Sequence, residues 1–309
     1  MAIHPGYMGT CEIDDVTKFR FESASITAKQ AFETPDMVMG HWDRGAYHPG
    51  KIDISGSISG PATEGFVGTS GGTSGGADSL FKWVVHRGDC GQLDSKDLTL
   101  IYYCDGGEDI GGGSGKQARK FTSVYANNVN FSCSAGDNAQ FSVDVMSMDM
   151  PEWTDLAPTK NEDTEKIITW DNTDVTITSG TGVVVPTDAL LSSFEFSINN
   201  NCAPYYSLTA DRGYLPTAII AGLRSVTGSL TAYDPQAFDA VYGFDSVESY
   251  PGTSWDAGDA RATLEFSIGD QTFKFKVMFH RNEPTLTVGP IMSTIAFTGV
   301  GVQTDLNSL

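Results

Sequence analysis

The sequence matches itself when it is slid by 172 residues. Ser25-Ile26 falls on Ser197-Ile198, and Ile54-Ser55-Gly56-Ser57-Ile58-Ser59 falls on Val226-Thr227-Gly228-Ser229-Leu230-Thr231 with the polarity preserved at every position. In each copy a candidate helix follows the second matched strand, and further strands follow the helix. At 309 residues the chain is long enough for two cores, so two copies of one β-rich unit are expected. The boundary is placed near residue 158, giving domains 1–158 and 159–309. It lies within a linker-like stretch, Met150–Glu165, that holds two prolines and the polar run Thr159–Glu165.

Segments of four to eight residues that alternate polar with apolar recur along the chain, and 34 glycines punctuate them. The expected class is therefore mainly β. The pattern predicts strands over residues 18–28, 51–59, 98–103, 127–133, 140–147, 167–178, 193–199, 224–233, 262–268, 272–279 and 294–300. Two short helices are expected, over residues 78–87 with Asp78 as cap and over residues 235–242 behind Asp234 and Pro235. Gly/Ser-rich stretches at 65–76 and 105–115 read as surface loops.

Period-two logic splits the matched strands into two faces. Ala24, Ile26, Ile54 and Ile58 form one, with Phe196, Ile198, Val226 and Leu230 in the second copy; this is the expected core face. The other holds Ser23, Ser25, Thr27, Asp53, Ser55, Ser57 and Ser59, then Glu195, Ser197, Asn199, Ser225, Thr227, Ser229 and Thr231. These are small hydroxyls, one amide and two carboxylates, with no base.

Between the matched strands run long connections, Lys29–Gly50 and Asn200–Leu223, and connections of that length usually carry function. Each contains the same tripeptide, Asp43-Arg44-Gly45 and Asp211-Arg212-Gly213, amid aromatic residues that include Trp42, Tyr47 and Tyr214. The tripeptide suits either a turn or an interaction tip built around an arginine. Apolar crowding in the loops calls for a partner that covers them.

Charge narrows the choice of partners. Acids outnumber bases 39 to 19, for a net charge of −20 and a pI near 4.4, the wrong sign for gripping a phosphate backbone or an anionic membrane. Met1–Thr10 has neither a basic segment nor an apolar run, and no stretch reaches membrane-spanning length, so no signal peptide or membrane segment is expected. The cysteines (Cys11, Cys90, Cys104, Cys133, Cys202) stand far apart, which suits buried thiols in a reducing cytoplasm. Their odd number leaves room for a disulfide between subunits. No zinc-protease pair, nucleophile elbow or P-loop occurs: Gly111-Gly112-Gly113-Ser114-Gly115-Lys116 lacks the glycine spacing of a phosphate cradle, and scattered carboxylate pairs such as Asp14-Asp15 carry little weight. No catalytic residue, cofactor or metal is expected.

Three features together resemble a known family. They are the run Phe194-Glu195-Phe196-Ser197-Ile198-Asn199-Asn200-Asn201, the loop with Asp211-Arg212-Gly213, and Val226–Tyr233 ahead of a short helix. Their order is similar to that of the tail tube proteins of long-tailed bacteriophages, most clearly over residues 167–300. The first copy fits less closely, because it lacks the asparagine run and carries a Gly-rich insertion before its helix.

The resemblance implies two tandem β-sandwich domains, each with a flanking helix, whose inner strands join neighbouring copies into a β-barrel ring. Three two-domain chains would make a pseudo-six-fold ring, with rings stacking through Trp42, Asp43, Arg44, Gly45 and Tyr47 and through Asp211, Arg212, Gly213 and Tyr214. About 24 strands, tilted by about 40°, give a backbone radius of roughly 24 Å and an opening near 40 Å after side chains, enough for duplex DNA. The polar face would then line the lumen and let DNA pass without specific binding.

The implied setting is the virion tail, assembled in the host cytoplasm, with the terminator, tape measure and tip proteins as further partners, and a sheath if the tail is contractile. Two other readings stay open at this level. One is a tail-tip or baseplate ring protein with the tube fold, and the other is a carbohydrate-binding or carbohydrate-cleaving β-sandwich. Without the resemblance, the polar face would equally suit an ordinary solvated surface.

Overall fold

Alternation becomes pairing in the computed structural model, which describes residues 9–13, 17–33, 48–63, 80–85, 87, 92–102, 118–154, 166–178, 191–208, 212–233, 262–269, 271–279 and 292–299. In chain order the strands of the first half are β1 (Gly9–Ile13), β2 (Thr17–Arg20), β3 (Ser23–Glu33), β4 (His48–Pro61), β5 (Lys96–Tyr102), β6 (Ala118–Ser134), β7 (Gln140–Ser147) and β8 (Glu152–Thr154). Those of the second half are β9 (Thr173–Thr178), β10 (Leu191–Asn199), β11 (Ala203–Tyr205), β12 (Ala218–Ile220), β13 (Ser225–Ala232), β14 (Ala262–Ile268), β15 (Gln271–Phe279) and β16 (Ser293–Gly299). Among the described residues a helix, α1 (Leu80–Val85), lies between β4 and β5. The protein is mainly β, as the alternation predicts.

Fourteen strands form one antiparallel sheet, and β11 and β12 pair apart from it. In the first half the order runs β1-β5-β6-β7-β4-β3, and in the second β9-β14-β15-β16-β13-β10. The two series therefore use their strands in the same sequence. They meet at a seam where β6 pairs with β10, with Ser193 opposite Ser134 and Asn199 opposite Asn128. The sheet does not close on itself: among the described residues, β2, β3 and β9 each pair on one side only.

Strand β6 serves two parts of the sheet. Its first residues pair with β5 and β8, and its later ones lie between β7 and β10. The switch is marked by Ser123, a non-glycine residue at φ 52, and by a register shift between Ala126 and Asn128. In the second half, Phe196 of β10 lies 5.0 Å from the Phe266 ring of β14 and 5.3 Å from that of Phe275 in β15. Since β10 is not a neighbour of either strand, these contacts show the sheet folded over an aromatic core.

The expected core face is buried. Ile26, Ile54, Ile58, Phe196, Ile198, Val226 and Leu230 are all inside, with Ala24 partly buried against them. Gly56 and Gly228 occupy matching positions in the two copies and bring strands close together. A Cβ on Gly56 would collide with the Ser25 carbonyl oxygen, and one on Gly228 with the Glu195 carbonyl oxygen and the Phe297 ring.

Several expectations are corrected. The strand read as 18–28 breaks at Phe21 and Glu22 into β2 and β3, with Phe21 buried. The strand read as 167–178 opens instead with a bridge at Ile167 and a 3₁₀ turn at Trp170–Asn172, so β9 begins only at Thr173. The connection read as Lys29–Gly50 is shorter, because β3 runs on to Glu33 and β4 starts at His48. Part of the stretch read as linker is β8, which pairs with β6 through Trp153 opposite Arg119. The first expected helix is present as α1. The boundary at 158, the second helix, the two Gly-rich loops, Cys90 and Cys104 lie outside the described residues. Cys11, Cys133 and Cys202 are buried.

Candidate functional site

The polar face is one surface across both halves. Starting at the free edge, Ser23 lies opposite Ser59, Ser59 opposite Ser142, Ser142 opposite Asn130, Asn130 opposite Ser197, Ser197 opposite Thr227, and Thr227 opposite Thr298. This row crosses seven strands without meeting a charge. Ser25, Thr27, Asp53, Ser55, Ser57, Glu195, Asn199, Ser225, Ser229 and Thr231 lie on the same face, each exposed or half-buried. The face also takes in Asn128, Ser132, Ser134, Asp144 and Thr294, which the matched segments leave out although residues 127–133 and 140–147 alternate in the same way.

Side chains on this face hold one another. The Ser23 and Ser59 hydroxyls stand 2.8 Å apart, and those of Thr231 and Thr294 3.0 Å apart. Across the seam, Ser197 donates to Asn128 Oδ1 at 2.9 Å, and Asn128 donates to Asp144 Oδ2 at 3.2 Å. Ser229 donates to Glu195 Oε1 at 3.0 Å. From β7 to β13 the described face carries two acids, Asp144 and Glu195, and no base. Lys29 and Lys51 do share the face, at the lower end of β3 and β4 beside Asp53, so this end is less purely acidic than the residue pattern of the matched strands implies.

The loop at 200–223 crosses onto the first half of the chain. The Ile52 N–H donates to the Tyr214 carbonyl at 3.0 Å, and the Tyr206 hydroxyl donates to the Asp53 carboxylate. Lys51 Nζ sits 4.9 Å from the Tyr206 ring centre. Burial first, then the bond to Asp53 and its charge, push the Tyr206 phenol above its ordinary range, so it remains a donor. Arg212 forms an ion pair with Asp149 and donates to the Met148 carbonyl at 3.0 Å. Gly213 turns the chain at φ 60. Arg212 therefore acts within the chain, holding the loop to the end of β7. Trp42, Asp43, Arg44, Gly45, Tyr47 and Asp211 lie outside the described residues.

A polar knot ties this loop to α1. Asn200 is fully buried, and its Nδ2 donates to the carbonyls of Val84 (2.8 Å) and Ala126 (3.1 Å). Its Oδ1 accepts from Arg224 Nε at 3.2 Å and from Arg87 Nη2 at 3.4 Å. Arg224 also reaches the Val85 carbonyl, so two carbonyls at the end of α1 find donors from the second half. Burial, followed by the neighbouring Arg87 charge, lowers Arg224 to about 10, which leaves it a cation at neutral pH. Burial likewise raises the Cys202 thiol to about 11, with Arg87 pulling the other way. Composition does not single out Asn200; only the asparagine run at the end of β10 hints at it. Asn200→Ala removes the donor to the Val84 and Ala126 carbonyls and the acceptor shared by Arg87 and Arg224, which keep their bonds to the Gly222 and Val85 carbonyls, and is expected to cost about 3 kcal/mol. A lowered urea midpoint with an unchanged slope would report that loss.

Comparison with known proteins decides the family. A model described as phage tail tube protein matches residues 43–299, which is more than half of the chain. The chain belongs to that family. The tail tube protein is thus a structural component of a virion tail and works alongside other tail proteins. No curated protein matches it closely enough to count as a relative. Among its described residues there is no helix long and apolar enough to cross a membrane, and no cluster of side chains suited to a metal ion.

Proposed function

We propose that this chain is the major tube subunit of the tail: two tandem tube domains per chain, three chains per ring, and rings stacked into a conduit through which DNA leaves the capsid. The observation that carries the reading is the β6–β10 seam. There the first strand series meets the second edge to edge with the polar face unbroken, which supports the reading of two tube domains joined side by side. Phe131 of β6 stacks on Phe194 and Phe196 of β10 at 6.1 and 5.5 Å on the core side, while Ser197 and Asn128 bond on the other.

The same joint is available between chains. Strand β3 stands in the first series where β10 stands in the second, and its outer edge has no strand partner among the described residues. An exposed edge of eleven residues is an invitation to pair. Closing it against the second half of a neighbouring chain repeats the seam and removes the edge. The run β3-β4-β7-β6-β10-β13-β16-β15 contributes eight strands, so three chains supply the strand number of the expected barrel. In that ring the polar face lines the bore. Several of its hydroxyls and amides are bonded to one another, and apart from Lys29 and Lys51 at one end of β3 and β4 the charges named on it are acids that repel phosphate, so most of the wall offers the genome little to hold.

Catalysis has no part in this reading, and assembly occurs in the host cytoplasm. The test is electron microscopy of the purified full-length chain. Hollow filaments with a bore wide enough for duplex DNA, built of rings whose native mass equals three chains, are expected. A stable monomer, or a single ring per virion at the tail end, would defeat the assignment.

A further inference from the structure

Just before β9 the chain crosses from one half to the other. Residues 166–172 lie along a rim of the first half, where β4 ends and β6 turns into β7. The Ile168 N–H donates to the Ala62 carbonyl (2.8 Å), the Ala139 N–H to the Ile168 carbonyl (2.9 Å) and the Trp170 N–H to the Asp137 carbonyl (3.1 Å). Ala62, Thr63, Ala139 and Ile168 are all buried in this joint. The matching rim of the second half, at the end of β13 and the start of β16, is different: Tyr233 is 48% exposed there and Met292 37%.

Strand register fixes which residues stand before the first half as this strap stands before the second. Val124 of β6 faces Lys96 and Ser147, and Val277 of β15 faces Ala262 and Gly299 in the same way. Two places further along, Leu98 faces Ile13, and Leu264 faces Ile177. Ile13 of β1 is therefore the counterpart of Ile177 in β9, and Gly9 that of Thr173. Counting back, residues 2–8 match residues 166–172, with Ile3, His4 and Pro5 on Ile167, Ile168 and Thr169. Proline suits that place: Ile168 and Trp170 supply the strap's N–H donors to the rim, and Thr169 between them supplies none.

From this match we infer that residues 2–8 form an exchanged arm, seated on the rim of the second half of a neighbouring chain beside Tyr233 and Met292. The strap before β9 rests on the half whose β6 abuts β10. Strand β3 is the counterpart of β10, so the arm before β1 belongs on the half that abuts β3. In the tube reading that half is the second half of the next chain. The arm's own chain does not meet the need: its first-half rim is filled by residues 166–172, and its second half adjoins the β6 edge instead. The inference rests on the tube reading and adds a contact that strand pairing alone does not supply, a segment by which each chain grips its neighbour within the ring.

The test uses the full-length chain with a benzophenone amino acid in place of Tyr233, in rings co-assembled from light and heavy-isotope copies. After irradiation, the expected product joins the peptide around residue 233 to the N-terminal tryptic peptide, residues 1–18, with light and heavy partners mixed. A second chain lacks residues 2–8, and circular dichroism with thermal melting verifies its fold. Its rings should keep the mass of three chains but come apart at a protein concentration about ten-fold or more above that of wild type. Joints found only within light or within heavy chains would show an arm that returns to its own chain, and would overturn the exchange. Benzophenone rings with no joint to residues 1–18, or truncated rings as tight as wild type, would overturn the arm while leaving the tube reading intact. Should the truncated chain fail to fold, the cross-link alone decides. Wild-type chain that forms no rings would overturn the tube reading, and the arm with it.

Discussion

Gly228→Val is expected to leave the chain unable to hold its native sheet. A side chain there meets the Glu195 carbonyl oxygen and the Phe297 ring, with the Phe297 Cε1 atom only 2.8 Å from the Cβ position. The carbonyl belongs to the backbone of β10, so relief means prising β10 from β13, and β10 is also the strand that forms the seam with β6. Overpacking of this kind costs about 3 kcal/mol or more, a large share of the stability of an ordinary domain. Gly56→Val should act in the same way, against the Ser25 carbonyl oxygen. Insoluble protein, or a melting temperature lowered by roughly 6–12 °C, is the expected result. The adjacent Ser229→Ala, on the polar face, should shift stability by no more than about 0.5 kcal/mol. A soluble Gly228→Val chain that melts with the wild type would show that the close approach is not obligatory.

The second large effect is functional and leaves the fold alone. Ser132 and Thr227 are exposed on the polar face, on either side of β10. Replacing both with arginine adds six cations to each proposed three-chain ring, repeated along the tube. Each can bind a phosphate, and such contacts weaken steeply as salt rises. Virions carrying the double change should have tails of normal length, with plaque-forming units per particle down by about ten-fold or more, because DNA is held on its way out. DNA release in vitro should quicken again in high salt. The double glutamine variant, of comparable reach without charge, should behave like wild type. Equal infectivity of the arginine and wild-type particles would mean that this face does not meet the genome.

Strand class, the two faces and the matched glycines were legible because they depend on local periodicity. Seven of the strands, from β7 to β16, start or end within two residues of the predicted bounds, since side-chain alternation survives wherever the pleat is regular. It failed where the pleat is not. The first half of β6 escaped notice because its buried residues Ala118, Phe121 and Val124 recur every third position, and the regular alternation returns only after the turn at Ser123 and the shift at Ala126. Short strands such as β1, β8, β11 and β12 are too brief to set up a period.

What the residues determined alone is which way each side chain points: Ile198 inward and Ser197 outward follow from neighbours one position away. What only the tertiary structure decided is which edges meet. The seam of β6 and β10, the return of the 200–223 loop onto Ile52 and Asp149, and the burial of Asn200 between Val84 and Arg224 join residues more than twenty positions apart in every case. Backbone amides and carbonyls form the strand joints, and they are the same in every residue but proline. A strand edge therefore carries almost no signature in its own side chains, and its partner emerges only when the whole chain has packed.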